Sequence, residues 1–278
     1  MHDDRITRKE LEKINDEELE IVGKEEVMLE YWIWLTTLPR IGPVTANRLL
    51  KKFMNPENVY HSSEEELKKI ADLTAAQRNI LHENKDLDDA KRILEECEQN
   101  HISLLPLDDP RYPKRARNCK DTPILLYYKG KLQPIEQSVG IVGARRCTQE
   151  SKHLVASLAE ANAEKHIAVV SGMAKGVDSY AHTACLQAGG YTIAVLANGL
   201  DICYPSEHAK LKECLEKDGL LISEYPPGTY PARYTFPERN RIISAWSDEL
   251  IVVAAGKGSG AYITAKYSDY YGRKVTYM

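Results

Sequence analysis

Four glycine-containing segments of this chain combine residue types that bind phosphate groups. Each follows an apolar run that predicts a buried strand, and three of the four also carry a cation. Free backbone amides at a helix start bind anions, and an arginine adds a bidentate contact. We therefore predict recognition of a phosphorylated ligand by the segments Gly143–Thr148, Ser171–Asp178, Ala197–Pro205 and Gly256–Gly260.

The candidate contacts in these segments supply an amide, a hydroxyl or a positive charge. They are Gly143, Arg145, Arg146, Ser171, Gly172, Lys175, Gly176, Gly258, Ser259 and Gly260. The third segment has little charge, so Gly199 and Tyr204 are expected to shape the pocket. A plain strand-to-helix turn explains Gly199 and Tyr204 equally well.

A further segment between the third and fourth combines arginines with aromatic rings. It holds the phosphate-binding candidates Arg239, Asn240 and Arg241 and the aromatic candidates Tyr225, Tyr234 and Phe236. Arginines that pair with phosphates and rings that stack on unpaired bases are the combination that single-strand binders use. The structural alternative is that Glu224 pairs with an arginine and that Phe236 belongs to the core.

Two kinds of catalytic or cofactor site are disfavoured. Neither the dinucleotide fingerprint G-x-G-x-x-G nor the P-loop G-x-x-x-x-G-K-S/T occurs, so no nucleotide cofactor is assigned. Asp178 and His182 stand four residues apart and, with Ser171, resemble a hydrolase triad. Because Ser171 lacks the G-x-S-x-G elbow, we expect Asp178 and His182 to be a hydrogen-bonded structural pair beside the glycine turn.

Composition indicates a globular protein whose charge is unevenly distributed. Residues 1–30 carry a net charge of −6, whereas the whole chain carries −4, so residues 31–278 carry +2. A DNA site must therefore be local, and its candidate cations also include Lys152, Arg233 and Lys257. We find no apolar run that could span a bilayer and no secretory signal, so a cytoplasmic location is expected. The six cysteines show no metal-ligand spacing, and most are expected to be buried.

Hydrophobic periodicity divides the chain into two domains. Residues 1–98 have apolar residues at helical spacing, which predicts a small all-α domain with Trp32 and Trp34 in its core. Residues 99–278 begin with an extended connector and then alternate strands with helices, which predicts an extended Rossmann-like α/β domain with a mostly parallel sheet. Ligands bind beyond the carboxyl ends of such strands, so the four segments are expected to meet there.

The motifs of the second domain resemble a known family. GARRCT, SGMAKGVDSYAH, AVLANGLDICYP, SEYPPGT, FPERNRIIS and GSGAYITA occur in the order found in the DNA-processing protein A family, also called DprA or Smf. The resemblance covers about Leu104–Met278. It implies a Rossmann-like domain that binds single-stranded DNA, dimerises, and loads the RecA recombinase during natural transformation. By motif, Gly143 and Arg145 match the family's G-S/A-R loop, Lys175 its Lys/Arg position, and Arg239-Asn240-Arg241 its F-P-x-R-N-R.

Two departures from known patterns modify these expectations. Members of the family usually continue past the strand that matches KVTYM, so a truncated C-terminal end is expected to affect dimerisation more than DNA binding. The segment LPRIGPVTANRLL resembles the helix-hairpin-helix signature of SAM-like domains, but Arg40 replaces its first glycine. A structural or partner-docking role is therefore favoured over direct DNA contact for this turn.

These observations predict a single-stranded DNA-binding recombination mediator that makes and breaks no bond. The alternative is a Rossmann-like nucleotide phosphoribohydrolase, which also uses glycine loops after parallel strands. Such enzymes carry P-G-G-x-G-T-x-x-E, whereas the matching AAGKGSGAYITA has no carboxylate for acid or base chemistry. A purely structural adaptor would leave the cations of the four segments unexplained.

Overall fold

The computed structural model describes residues 28–256 and 258–278. Lys257 and the first 27 residues of the predicted all-α domain, which hold most of the acidic segment 1–30, lie outside the described residues. The chain divides into two compact units, Met1–Leu94 and Glu95–Met278, and the division falls within a helix.

The described part of the first unit is helical, as predicted. Its helices are α1 (28–37), α2 (Pro43–Phe53), α3 (Pro56–Tyr60), α4 (Glu64–Lys68), α5 (Ala75–Glu83) and α6 (Asp88–Gln99), the last of which continues into the second unit. Helix α4 begins with a capping box, because the Ser63 hydroxyl accepts from the amide of Glu66 while the Glu66 side chain accepts from the Ser63 amide.

The turn between α1 and α2 keeps a backbone shape that suits glycine. Arg40 has a φ of 63°, and its carbonyl accepts a hydrogen bond of 3.0 Å from Gln77 Nε2. Trp32 and Trp34 are 3% and 2% exposed, so their predicted place in the core is confirmed. Arg40 therefore adopts the left-handed conformation that glycine would take at this position of the turn.

The second unit alternates strands and helices. Its elements are β1 (Ser103–Pro106), α7 (Lys114–Arg117), β2 (Leu125–Gly130), β3 (Ser138–Gly143), α8 (Gln149–Glu164), β4 (Ala168–Ser171), α9 (Val177–Gln187), β5 (Thr192–Leu196), α10 (Ala209–Asp218), β6 (Leu220–Ser223), α11 (Thr235–Ala245), β7 (Glu249–Val253), α12 (Gly260–Tyr270) and β8 (Lys274–Tyr277).

One sheet joins these strands in the order β1-β2-β6-β5-β4-β3-β7-β8. The six strands β6, β5, β4, β3, β7 and β8 run parallel to one another. At the β6 edge, β2 pairs antiparallel with β6 and β1 pairs antiparallel with β2. The predicted mostly parallel α/β fold is thus confirmed. The chain runs outward from β3 to β6 and then returns to β7, so the direction of winding reverses between β3 and β7. Ligands bind at such reversals in open α/β sheets.

Apolar cores cover both faces of the sheet. On one face α8 and α9 pack through Val155, Ala159, Val177 and Ala181. On the other face α11 and α12 pack through Ile242, Trp246, Ala261 and Ala265. Because helices cover both faces, the strands are almost entirely apolar, and the loops at their ends are the accessible parts of this layer.

Two other expectations from the sequence concern membranes and cysteines. Within the described residues, no helix combines the length and apolar character required to cross a membrane. The expectation that most cysteines are buried is wrong, because burial holds for only three of the six. Cys147 and Cys203 lie half-buried in loops, and Cys214 is exposed on α10.

His182 is fully buried and links α9 by hydrogen bonds to the turn after β4 and to strand β5. Its Nε2 donates to the carbonyl of Gly172 at 2.5 Å, and its Nδ1 lies 2.7 Å from the Thr192 hydroxyl. Because a carbonyl only accepts, Nε2 carries the ring proton. Burial lowers the pKa of His182 to about 4, so the ring is neutral at pH 7.

We expect His182 to make stability depend on pH. A histidine pKa lowered on folding contributes stability that is present above the unfolded value of 6.5 and is lost as pH falls toward 4. The wild type should therefore lose about 2 kcal/mol of its free energy of unfolding between pH 7 and pH 5 through this residue. Urea denaturation of His182→Gln, which cannot titrate, should show a loss smaller by that amount.

His153→Gln is the matched control, because His153 is exposed on α8 and should leave the pH dependence unchanged. An identical loss of stability in wild type and His182→Gln would contradict this assignment.

Candidate functional site

The four predicted segments meet at the carboxyl edge of the sheet. They follow β3, β4, β5 and β7, and together with the start of α11 they line two adjoining recesses. The recesses share Arg145, Ala174, Phe236 and Arg239, so we describe them as one cleft. Strand topology thus brings together residues that lie more than a hundred positions apart in the sequence.

The first part of the cleft, which we call the aromatic recess, has a volume of about 480 Å³. Its lining includes Met173, Lys175, Leu196, Tyr204 and Pro205 in addition to the shared residues. The rings of Tyr204 and Phe236 lie 5.7 Å apart, and the exposed Arg145 guanidinium lies 5.9 Å from the Phe236 ring. An apolar wall beside a cation suits a flat ligand that carries a negative charge.

The second part, which we call the helix recess, opens beside the start of α12 and has a volume of about 810 Å³. Ser259 is the N-cap of α12, but its hydroxyl makes no capping bond. The Ser259 Oγ is buried and has no hydrogen-bond partner among the described residues. The Tyr262 amide donates to the Ser259 carbonyl at 3.0 Å, so the donors that this end of α12 offers to an anion are the amides of its first two residues.

Arg239 forms the floor of the cleft and is only 6% exposed. Its Nη1 donates to the carbonyl of Val195 near the end of β5, and its Nε donates to Asn240 Oδ1 at 3.1 Å. Asn240 Nδ2 in turn donates to the carbonyl of Gly260 at 3.0 Å. This chain of bonds connects β5, α11 and the first residue of α12.

Asp178 lies beside this arginine. Its carboxylate accepts from the amide of Ala174 at 3.3 Å and so holds the turn after β4. Burial raises the pKa of Asp178, and the Arg239 guanidinium opposes that rise. A Cβ added at Gly172 would lie 2.5 Å from Arg239 Nη1 and 2.6 Å from Asp178 Oδ2, so only glycine leaves room for both side chains.

Three of the predicted glycines leave no room for a side chain. A Cβ added at Gly143, Gly176 or Gly199 would lie 2.1 to 2.5 Å from Val253 O, Ala144 O or Asp201 Oδ1. Glycine is therefore required at these three positions for close packing between loops, and Gly143 also lines the helix recess. Gly258 and Gly260 differ, since nothing lies within 4 Å of an added Cβ, and Gly258 also has a φ of 88°.

The exposed Lys175 forms an ion pair that the sequence did not indicate. Its Nζ lies 2.6 Å from Glu207 Oε2 in the short helix after Pro205, and both side chains are about half exposed. No local pattern identifies Glu207, because it stands 32 residues from Lys175. Arg146 is also exposed but lies outside the lining of both recesses.

Other candidates bond within the protein. Arg241 Nη2 lies 2.5 Å from Glu224 Oε1, and Arg241 is 7% exposed. The alternative that Glu224 pairs with an arginine is thus confirmed. Tyr225 OH donates to Glu238 Oε2 at 2.8 Å. Neither Arg241 nor Tyr225 lines the cleft.

The residues of the suspected triad do not assemble into one. Ser171 is completely buried, and its hydroxyl donates to the carbonyl of Ile141 at 2.6 Å. His182 bonds Gly172 and Thr192, so neither nitrogen serves Ser171. Asp178 and His182 support the same turn through separate partners rather than as a direct pair.

The cleft therefore combines positive charge, free donors and aromatic surface. Among the residues that the structure describes, three cations line it, Arg145, Lys175 and Arg239, against the single carboxylate of Asp178. Such a site attracts anions and can hold a phosphate at the start of α12 while a ring contacts Phe236 or Tyr204.

Comparison with known proteins identifies similar chains. A family model described as DNA recombination-mediator protein A matches residues 103–278. Protein Smf from Synechocystis sp. is 36% identical over 257 residues, which cover 88% of this chain and 63% of that protein. The chain thus spans less than two thirds of the length of this relative.

Two solved structures are also similar. The X-ray structure of DNA processing protein A from Streptococcus pneumoniae gives a TM-score of 0.73 at 30% identity and covers 89% of this chain and 84% of that one. A structure of the Helicobacter pylori protein, described as showing its single-stranded DNA binding mode, gives 0.58 at 31% identity and covers 64% and 81%.

Substitution at the Arg241–Glu224 pair tests whether Arg241 is structural. We expect Arg241→Leu to lower the free energy of unfolding by about 3–5 kcal/mol, because it leaves the Glu224 carboxylate buried without its partner. The double variant Arg241→Leu/Glu224→Leu removes both charges and should recover most of the loss in urea denaturation. A single-variant loss below about 1 kcal/mol would show that the pair does not support the fold.

Proposed function

Because the chain belongs to the DNA recombination-mediator protein A family, as the match over residues 103–278 shows, we propose that it binds single-stranded DNA in the cleft. The observation that carries this proposal is that the exposed cations Arg145 and Lys175 line the same cleft as the start of α12, where Ser259 makes no capping bond. The Helicobacter pylori relative, whose structure is described by its single-stranded DNA binding mode, supports this choice of ligand.

In this proposal the phosphates meet exposed groups, and the buried groups hold them in place. Arg145 and Lys175 contact phosphates directly, and the exposed Gly260 offers a helix-start amide, whereas the Ser259 hydroxyl is buried behind it. Arg239 adds positive potential from the floor of the cleft while it connects β5 to α11. Asn240 and Arg241 act as positioning residues, since their side chains bond within the protein.

The aromatic recess receives a base. Phe236 and Tyr204 form an apolar wall on which any of the four bases can stack, because every base has a flat apolar face. Leu196 and Met173 extend this wall with aliphatic surface. Binding of this kind tolerates many sequences, since it does not read the hydrogen-bonding edge of a base.

We propose that binding occurs without catalysis. Asp178 is the only carboxylate in the lining that the described residues form, and it is 6% exposed and bonded to the Ala174 amide. Hydrolysis of a nucleotide requires an acid or base within reach of the reacting atoms, and Asp178 is poorly placed to serve.

We also propose that the protein has the cellular role that the family resemblance implies. In that role the protein acts in the cytoplasm, forms a homodimer, and loads the RecA recombinase onto incoming single-stranded DNA during natural transformation. The family membership supports this cellular role.

Charge reversal at the exposed cations tests the cleft. We expect Lys175→Glu and Arg145→Glu each to weaken binding of a fluorescent oligothymidylate about ten-fold at low salt, measured by anisotropy. Each should also reduce the slope of log K against log salt by about 0.7, the value for one lost phosphate contact on a single strand.

Lys165→Glu is the matched control, because Lys165 is an exposed lysine at the end of α8, just before the amino end of β4 and so at the opposite edge of the sheet from the cleft. If Lys175→Glu and Arg145→Glu bind as tightly as Lys165→Glu, the cleft is not the DNA site.

Removal of the competing carboxylate should have the opposite effect. Lys175 must leave Glu207 before it can contact a phosphate, and an exposed ion pair of this kind contributes up to about 1 kcal/mol. We therefore expect Glu207→Gln to tighten binding up to about five-fold in the same anisotropy assay. Equal tightening in Glu207→Gln and in the exposed control Glu213→Gln would mean that only net charge matters.

A further inference from the structure

A second cavity lies at the opposite edge of the sheet from the cleft. It has a volume of about 680 Å³, and we call it the basal pocket; its lining is Arg115, Asn118, Cys119, Lys120, Tyr270, Tyr271 and Arg273. Arg273 directly precedes β8, and Arg115 bonds Ser138 at the start of β3. Since β3, β7 and β8 are parallel, these residues lie at the amino ends of the strands.

Helix α12 connects the two edges. Its first residue, Gly260, lines the helix recess, and its last, Tyr270, lines the basal pocket. Eleven residues of α-helix separate these ends by about 16 Å. The basal pocket is therefore a site of its own rather than an extension of the cleft.

The charge of Arg115 is already used within the protein. Its Nε lies 3.0 Å from Asp248 Oδ1, its Nη1 donates to Ser138 Oγ at 2.6 Å, and its Nη2 donates to the carbonyl of Glu136 at 2.5 Å. Arg115 is thus a wall of the pocket and not its anion ligand.

Arg273 and Lys120 differ from Arg115. Arg273 Nη2 donates to the carbonyl of Arg115 at 2.9 Å, but its buried Nε has no hydrogen-bond partner among the described residues. No ion pair within the described ranges involves Arg273 or the exposed Lys120. The nearby Asp121 accepts from Tyr271 OH at 2.6 Å instead. Two positive charges therefore face the pocket without a carboxylate, and a buried donor without a partner is unusual in a protein.

The wall opposite these cations is aromatic. Tyr270 is 64% exposed, and its ring lies 5.4 Å from that of Tyr271 at an angle of 56°. An exposed ring can stack on a base, and the amide of Asn118 at the rim can donate or accept hydrogen bonds. The size of the pocket suits a small ligand.

We propose that the basal pocket is a second binding site, which takes the phosphate and base of one nucleotide unit. Arg273 and Lys120 bind the phosphate, and Tyr270 stacks on the base. The unit belongs either to a free nucleotide or to a single strand, since both present the same chemistry.

The test is isothermal titration of the full chain with the dinucleotide dithymidylate, which is shorter than α12 and cannot reach from one site to the other. We expect two oligonucleotides per wild-type chain, and one per chain in Lys120→Glu, in Arg273→Leu and in Lys175→Glu. Lys114→Glu is the matched control, because Lys114 is an exposed lysine on α7 outside the pocket lining, and it should still bind two. Thermal melting verifies that each variant is folded.

Titration of Lys175→Glu with thymidine monophosphate then separates the two sources. If thymidine monophosphate binds, and adding Lys120→Glu weakens that binding at least about ten-fold, free nucleotides are ligands of the pocket. If only dithymidylate binds, the pocket takes a strand. Either result supports the site. One oligonucleotide per wild-type chain, unaffected by Lys120→Glu and Arg273→Leu, would overturn it and leave the cleft proposal intact. Loss of stoichiometry in these two variants but not in Lys175→Glu would instead refute the cleft.

Discussion

The guanidinium of Arg239 is a positive charge buried at the point where β5, α11 and the turn after β4 come together. A buried charge destabilises a fold strongly unless hydrogen bonds and an opposite charge compensate it. Here the Val195 carbonyl, the Asn240 side chain and the nearby Asp178 carboxylate provide that compensation. Gly172 is the residue that allows them to approach, since any Cβ would meet the guanidinium.

This requirement shapes the rest of the cleft. Asn240 is held by Arg239 and in turn holds the carbonyl of Gly260, so the start of α12 has a defined position relative to β5. The turn after β4 is fixed by Asp178, and it carries Lys175 at its exposed tip. Exposed cations thus project from loops whose backbones are bonded to buried groups. A preorganised site of this kind loses little conformational entropy when a ligand binds.

The two edges of the sheet place positive charge in different ways. At the carboxyl edge, Arg145 and Lys175 project from loops, and Glu207 engages the lysine. At the amino edge, Arg273 is half-buried between Cys119 and Arg115, and Asp248 neutralises only Arg115. Because α12 runs from one edge to the other, it separates two regions that each combine cations with aromatic rings, despite the net negative charge of the chain.

The sequence by itself determined the order of elements, the mostly parallel sheet and the meeting of four segments at one edge. Hydrophobic periodicity and glycine breaks are local properties, and the topology of parallel strands follows from them. Only the tertiary structure decided which side chains face the cleft. Arg239 and Arg241 look equivalent in F-P-E-R-N-R, but residues two apart on a helix point in different directions, so one reaches the cleft and the other Glu224. The pairing of Lys175 with Glu207 likewise depends on how β4 and β5 place their loops, which no short-range pattern records.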